Sequence, residues 1–231
     1  MRRTTEQQRH FMEYNVSDIV LEAKVALDEN VDSSALSGLG DVDTLKLDEI
    51  IESKIVDAAM VIEQNAPAYM LDSGRAFGDN IAWESQAGYG AGHVHLPDDF
   101  LRLVTYQMTD WSYAVTEAIT ETDPMYQLQH SRYAGVRGNP QKPVVAIVQE
   151  PSGLVLEFFC CYSGSSAHIK RARYIPIPRV KNGKIDLCEK LRRAVVYYTA
   201  YLAALSLGNG DAAAAMLATA RELAEITSDN A

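Results

Sequence analysis

Apolar residues in this 231-residue chain follow two different periods, and the switch between them is what most limits its fold. Val16, Ile19, Val20, Ala23 and Leu27 recur at three- and four-residue spacing. So do Ile51, Ile55, Ala58, Ala59 and Ile62, and later Leu187, Leu191, Ala194, Val195, Tyr198, Leu202 and Leu205. That spacing is the buried stripe of a helix. From Leu103 the period drops to two, with Val104, Tyr106 and Met108 on one face and Thr105, Gln107 and Thr109 on the other. Such alternation belongs to a strand. The stretch from His93 to Tyr162 therefore reads as β-rich, with helical sequence on both sides. The expected class is α+β, a helical bundle from the N- and C-terminal segments with a β-rich central insertion. The boundaries are 15–70 and 185–226 for the two parts of the helical core, 71–92 for a flexible glycine-rich loop, and 93–180 for the insertion.

Local signals refine this. Asn15 or Ser17 can cap the first helix, Asp28-Glu29-Asn30 ends it, and residues 31–46 read as a loop. The second helix runs from about Leu47 to Gln64 with Glu49, Glu52 and Asp57 on its wet face, and Pro67 stops it. Asp123-Pro124 opens a short helix through Gln129, with a carboxylate at the cap and proline at the first turn. Val144 to Gln149 and Leu154 to Tyr162 make strands around the turn Glu150-Pro151-Ser152-Gly153. Ala172 to Pro178 carries two prolines, which cannot donate to a ladder, so it should be an edge strand or an exit. Asp186 is placed to cap the longest helix and Gly208 to end it. Asp211 should cap an alanine-rich helix reaching about Ile226, the two making a helical hairpin joined by Gly208-Asn209-Gly210.

The totals exclude several classes. No apolar run approaches the ~18 residues of a membrane span. Met1-Arg2-Arg3 is basic, but no apolar region follows it, so no signal peptide is expected; Met12 is an alternative start that would leave 1–11 as an arm. Cys160, Cys161 and Cys188 are too few for a four-thiolate zinc site and, being odd in number, argue against a disulfide framework and for a reducing cytosol. A net charge of −10 opposes wrapping around nucleic acid. The charge is uneven: residues 1–65 hold six Lys/Arg against fourteen Asp/Glu, and residues 151–195 nine against three. Such polarity suits head-to-side contact between copies, or simply two differently solvated faces.

Each candidate site has a plain alternative. His93-x-His95 with Asp98-Asp99 has the composition of a metal site, as in some hydrolases, yet Pro97 breaks the strand and the aspartates look like helix-cap residues. Gly88-Tyr89-Gly90-Ala91-Gly92 lacks the strand before and helix after that a dinucleotide loop needs. Lys170, Arg171, Arg173, Arg179, Lys181 and Lys184 form a basic set that suits phosphates or an acidic protein surface, and a small nucleic-acid-binding module is one reading of it. Cys160 and Cys161 lack a Cys-x-x-Cys partner and read as strand packing. Tyr197, Tyr198 and Tyr201 read as the boundary of a helix face.

The order of pieces resembles the head-to-tail adaptor (connector, or upper ring) proteins of tailed bacteriophages. The matching residues are Leu96-Pro97-Asp98-Asp99-Phe100-Leu101-Arg102-Leu103, Trp111, Val115-Thr116-Glu117-Ala118-Ile119, Asp123-Pro124-x-Tyr126-x-Leu128-Gln129, Arg137-Gly138-Asn139-Pro140-Gln141-Lys142-Pro143-Val144 and Tyr197-Tyr198-Thr199-Ala200-Tyr201. They span roughly residues 15–226. The resemblance implies a virion protein, made in the host bacterial cytoplasm, with no catalysis, metal or cofactor. Such adaptors form a ring, usually of twelve copies, beneath the portal, extend the channel for passing double-stranded DNA without binding it specifically, and dock the next tail protein. It implies subunit or portal contacts at Phe100, Arg102, Trp111, Arg137, Lys170, Arg171 and Arg173, and a docking loop at Gly74, Gly78, Gly88 and Gly90. The ending after Ile226 is shorter than the C-terminal arms with which some adaptors grip the portal, so the glycine-rich loop or the N-terminal arm is expected to take that role.

Overall fold

The computed structural model describes residues 12–30, 47–78, 80–84, 89–133, 135–162 and 166–227. The expected loop at 31–46, Gly88 and the arm at 1–11 lie outside them. In chain order the elements are β1 (Met12–Asn15), α1 (Val16–Asn30), α2 (Leu47–Asn65), β2 (Arg75–Ala76), β3 (Ala82–Glu84), β4 (Gly90–His95) and β5 (Phe100–Met108). Then come β6 (Ile119–Thr120), α3 (Pro124–Gln129), β7 (Val145–Glu150), β8 (Gly153–Cys161) and β9 (Ile169–Pro176). The chain ends with β10 (Val180–Lys181), β11 (Lys184–Leu187), α4 (Arg192–Ser206) and α5 (Gly210–Leu223). The class is mixed α+β, with five helices and three sheets among the described residues. No helix of the described residues is long and apolar enough to cross a membrane.

The chain divides into two compact units, Met1–Asp72 with Ile177–Ala231, and Ser73–Pro176. In the first, α4 packs against α1, α2 and α5. The apolar stripe of α2, from Ile51 to Ile62, is fully buried, and each of its isoleucines contributes about 1.5–3 kcal/mol. Small residues set the α4–α5 spacing: Ala200, Ala203 and Ala204 on one helix, Ala212, Ala213 and Ala220 on the other, all buried. Gly208, at φ 76°, closes α4 in the left-handed conformation that an L side chain resists.

Three expectations fail here. Asp186 caps no helix. It lies in β11, opposite Glu13 of β1, while Ile185 and Leu187 on either side are buried. Val180-Lys181 and Lys184-Ile185 pair around Asn182 and Gly183, both at positive φ, the two-residue hairpin turn that Asn-Gly favours. The cap of α5 is Asn209, whose side chain accepts from the Ala212 N–H at 3.1 Å, so Asp211 falls in the first turn instead. Leu205, expected in the α4 stripe, is half exposed because the buried face follows Val196, Thr199 and Ala203.

The second unit has two sheets, ordered β2-β9-β5 and β3-β4-β8-β7-β6. Its core joins Tyr106, Trp111 and Phe158, with Tyr106 ring centroids 5.6 Å from Trp111 and 6.2 Å from Phe158. Asp123 caps α3 by accepting from the Met125 N–H at 2.8 Å, and Pro124 occupies the first turn. Gln129 is wholly buried; its side-chain carbonyl accepts from the Gly138 N–H at 2.8 Å, holding the following loop against the helix.

Several readings of this unit are sharpened or corrected. Of the two alternatives for the run with Pro176 and Pro178, an edge or an exit, the exit holds: β9 pairs with β5 on one side and β2 on the other, and the prolines stand at its end, leaving the earlier N–H groups free to donate. β5 starts at Phe100 and breaks register three times against β9, so Thr105 and Gln107 are buried along with Tyr106 and Met108. Asp98 and Asp99 sit in a turn closed by the Phe100 N–H on Pro97, not at a helix start. Within the described part of the glycine-rich stretch, 75–76 and 82–84 pair as strands and Gly90 begins another.

Candidate interaction surfaces

The residues expected to meet other subunits fall into different settings. Phe100 is half-buried and stacks on Tyr174, centroids 5.8 Å apart at 16°. Arg102 is half-buried, and desolvation lowers its pKa against the pull of Glu117. Trp111 and Arg137 are interior, which corrects their assignment to a contact surface. Arg137 donates to the carbonyls of Gly138 at 3.1 Å and Phe159 at 3.3 Å, and its guanidinium lies 3.7 Å over the Tyr89 ring. Its charge ties a loop to β8. Of the basic residues in β9, Lys170 and Arg171 are exposed, whereas Arg173 donates to the Gly74 carbonyl at 3.2 Å. Arg179, Lys181 and Lys184 belong to the other unit, where Lys184 pairs with Glu13 at 3.2 Å.

The glycines expected to dock a partner are held by their own unit. Gly74 has φ 68°, and a Cβ there would come within 2.4 Å of the Tyr174 carbonyl oxygen. Gly78 has φ 86°, and Gly90 is buried against β8. Gly74 and Gly90 let backbones approach.

His93 and His95 share a face of β4 with ring centroids 5.7 Å apart, and Glu157 of β8 lies opposite His93 in register. The Glu84 carboxylate is 3.8 Å from His93 Nδ1, and the Tyr126 hydroxyl donates to Glu157 at 2.9 Å. Burial raises the pKa of both Glu157 and Tyr126. Asp99 is engaged elsewhere, accepting from the Tyr174 hydroxyl at 2.7 Å and from Arg75 at 3.1 Å. Among the described residues no three His, Cys, Asp or Glu side chains are grouped to hold a metal ion. All three cysteines are buried and free, with Cys160 pushed up to about 11 mainly by burial.

Two surfaces escaped the sequence reading. On α1, Leu21 is 63% and Val25 51% exposed. They are four residues apart and so form one ridge. A groove of about 630 Å³ runs along Leu21 and one of about 200 Å³ along Val25. In the other unit the segment from Met125 to Val136 exposes four large apolar side chains, Met125, Leu128, Tyr133 and Val136. The signal was present, since Leu21 and Val25 stand off the buried stripe of α1, but one sequence does not say whether an off-stripe apolar residue is covered. The two units also differ in charge: thirteen Lys/Arg against twenty-one Asp/Glu in the first, eight against ten in the second.

No protein-family model matches this chain, and no curated protein matches it in sequence.

Proposed function

We propose that this chain is a structural virion protein, a head-to-tail adaptor whose copies form a ring beneath the portal. In this reading the helices of the N- and C-terminal segments are the body of the adaptor and the β-rich 93–180 region is an insertion carried on it. The carrying observation is the pair of exposed apolar surfaces, one in each unit: Leu21 with Val25 on α1, and the Met125–Val136 segment. Leu21 and Val25 share one helix face, and Met125 to Val136 exposes four apolar side chains along one stretch of chain, the kind of surface that contact sites use. A closed ring needs a heterologous contact, in which one patch of each copy meets a different patch of the next. Two unlike patches on one chain meet that requirement.

Charge supports the same reading. A net −10 molecule lining a channel repels passing double-stranded DNA and lets it slide, whereas a basic wall would hold it with steep salt dependence. The partners are further copies, the portal and the next tail protein, and the work is done by shape and association without bond-breaking. The test is incubation of the purified chain with portal rings, followed by native mass spectrometry. The reading expects about a dozen copies per portal ring as one closed assembly. Failure to bind portal rings at any ratio would reject it.

A further inference from the structure

The two exposed apolar surfaces differ in charge. On α1, Asp18, Leu21 and Val25 stand three and four residues apart and share one face. The groove along Leu21 has an apolar wall in Val20, and Asp18, Asp48 and Glu52 line it with one cation, Lys24. Lys24 is already engaged, its ammonium 2.8 Å from the Asp48 carboxylate. Asp18 accepts from the Asn15 side-chain amide at 3.0 Å, a neutral donor. Both Asp18 and Glu52 are exposed, and among the described residues no cation pairs with either.

The surface in the other unit is the reverse. From Pro124 to Gln149 the sequence holds no Asp or Glu, while Arg132 and Lys142 are exposed. Tyr133 is 66% exposed, and the Arg132 guanidinium carbon lies 5.9 Å from its ring centroid, so charge and ring stand side by side. Among the described residues no carboxylate pairs with Arg132. Arginine and tyrosine are common anchors of protein interfaces, since each joins a large apolar surface to a polar end.

These surfaces complement each other in charge and in polarity. The groove, about 630 Å³, is roomy enough for an aromatic ring. Two α1 faces set against each other would oppose acid to acid, which costs affinity, so unlike surfaces are the favoured match.

We propose that the groove along Leu21 in one copy receives the Arg132-Tyr133 corner of the next, with the Tyr133 ring on Leu21 and the Arg132 guanidinium against Asp18 and Glu52. The pairing rests on the adaptor reading, from which it takes the contact between copies, and it assigns which residues of each copy meet.

The experiment mixes two full-length variants on differently tagged chains, Leu21→Cys and Tyr133→Cys, and oxidises them mildly. Both positions face water, so both variants should fold, and the native cysteines are buried. Non-reducing electrophoresis should show a disulfide-linked pair carrying both tags, at least tenfold more abundant than the product of either variant alone. Peptide mass spectrometry should place the link between positions 21 and 133. A mixed product no more abundant than the single-variant products overturns the pairing. Adding Arg132→Glu to the second chain should lower the yield about tenfold, and adding Glu52→Arg to the first should restore it. A yield indifferent to both charges overturns the assignment of Arg132. The same mixture on portal rings separates the two claims. Closed rings without the mixed product reject this pairing and leave the adaptor reading standing, whereas the mixed product without portal binding rejects the adaptor reading alone.

Discussion

The Glu63 carboxyl accepts a hydrogen bond from the backbone N–H of Cys188, 125 residues further along the chain. This contact closes the helical unit by joining its first stretch of sequence to its second. Burial of the acid, against the pull of this bond, makes the stability of the unit sensitive to its protonation. Burial raises Glu63 from an ordinary 4.5 to about 7, so its neutral form is the one that suits the fold. The stabilisation is complete below the unfolded value of 4.5 and is lost as pH rises through about 7. A shift of that size corresponds to at most about 3 kcal/mol. Urea denaturation should show the wild type weakening between pH 6 and pH 8.5, and Glu63→Gln, which keeps the acceptor carbonyl, should remove most of that slope.

Gly74 tests whether the glycines near β2 are there for packing. A Cβ at this position meets both an unfavourable φ of 68° and the Tyr174 carbonyl. Gly74→Ala should cost about 2–4 kcal/mol, combining left-handed backbone strain with overpacking. Thermal unfolding would reveal it. A change below half a kcal/mol would return Gly74 to the status of a free loop residue.

Much of this was legible in the sequence. The stripes of α1 and α2 are seen because a helix burying one face repeats every three to four residues, and Ile19, Ile51, Ile55 and Ile62 are fully buried as that period requires. Asp123-Pro124 is readable because a cap acts within its own turn. The failures lie where distant pairing overrides local signals. Asp186 looks like a cap until β1, some 170 residues earlier, supplies the partner that makes Lys184–Leu187 a strand. The Asn182-Gly183 turn was the available hint. Trp111 and Arg137 look like contact residues because nothing local shows that Phe158 and Tyr89 enclose them. Glu63 follows Ile62 in the stripe, and no pattern announces that an acid there is turned inward.

The aromatic core of the second unit carries its own prediction. Phe158 is fully buried and meets Tyr106, Trp111 and Trp83, the last at 5.3 Å edge-on. Phe158→Ala should cost about 3–5 kcal/mol and lower the stability of this unit. Tryptophan fluorescence during denaturation would follow it directly, since both tryptophans contact the deleted ring.

The exposed surfaces should separate folding from assembly. Leu21→Glu on α1 and Met125→Glu on α3 alter side chains that face water, so each should change stability by under about 0.5 kcal/mol. On the adaptor reading either should weaken ring formation at least tenfold, because a charge would then be buried in an apolar contact. Analytical ultracentrifugation with portal rings measures this. Equal assembly by wild type and both variants would exclude these patches as the contact.

On the adaptor account a tailed phage encodes this chain, and the most direct test of that claim is cryo-electron microscopy of that phage's purified particles, without imposed icosahedral symmetry. The adaptor account predicts density for this fold in one ring of about a dozen copies, at a single vertex between portal and tail. Particles lacking the chain altogether, or carrying it scattered over the capsid surface, would contradict it.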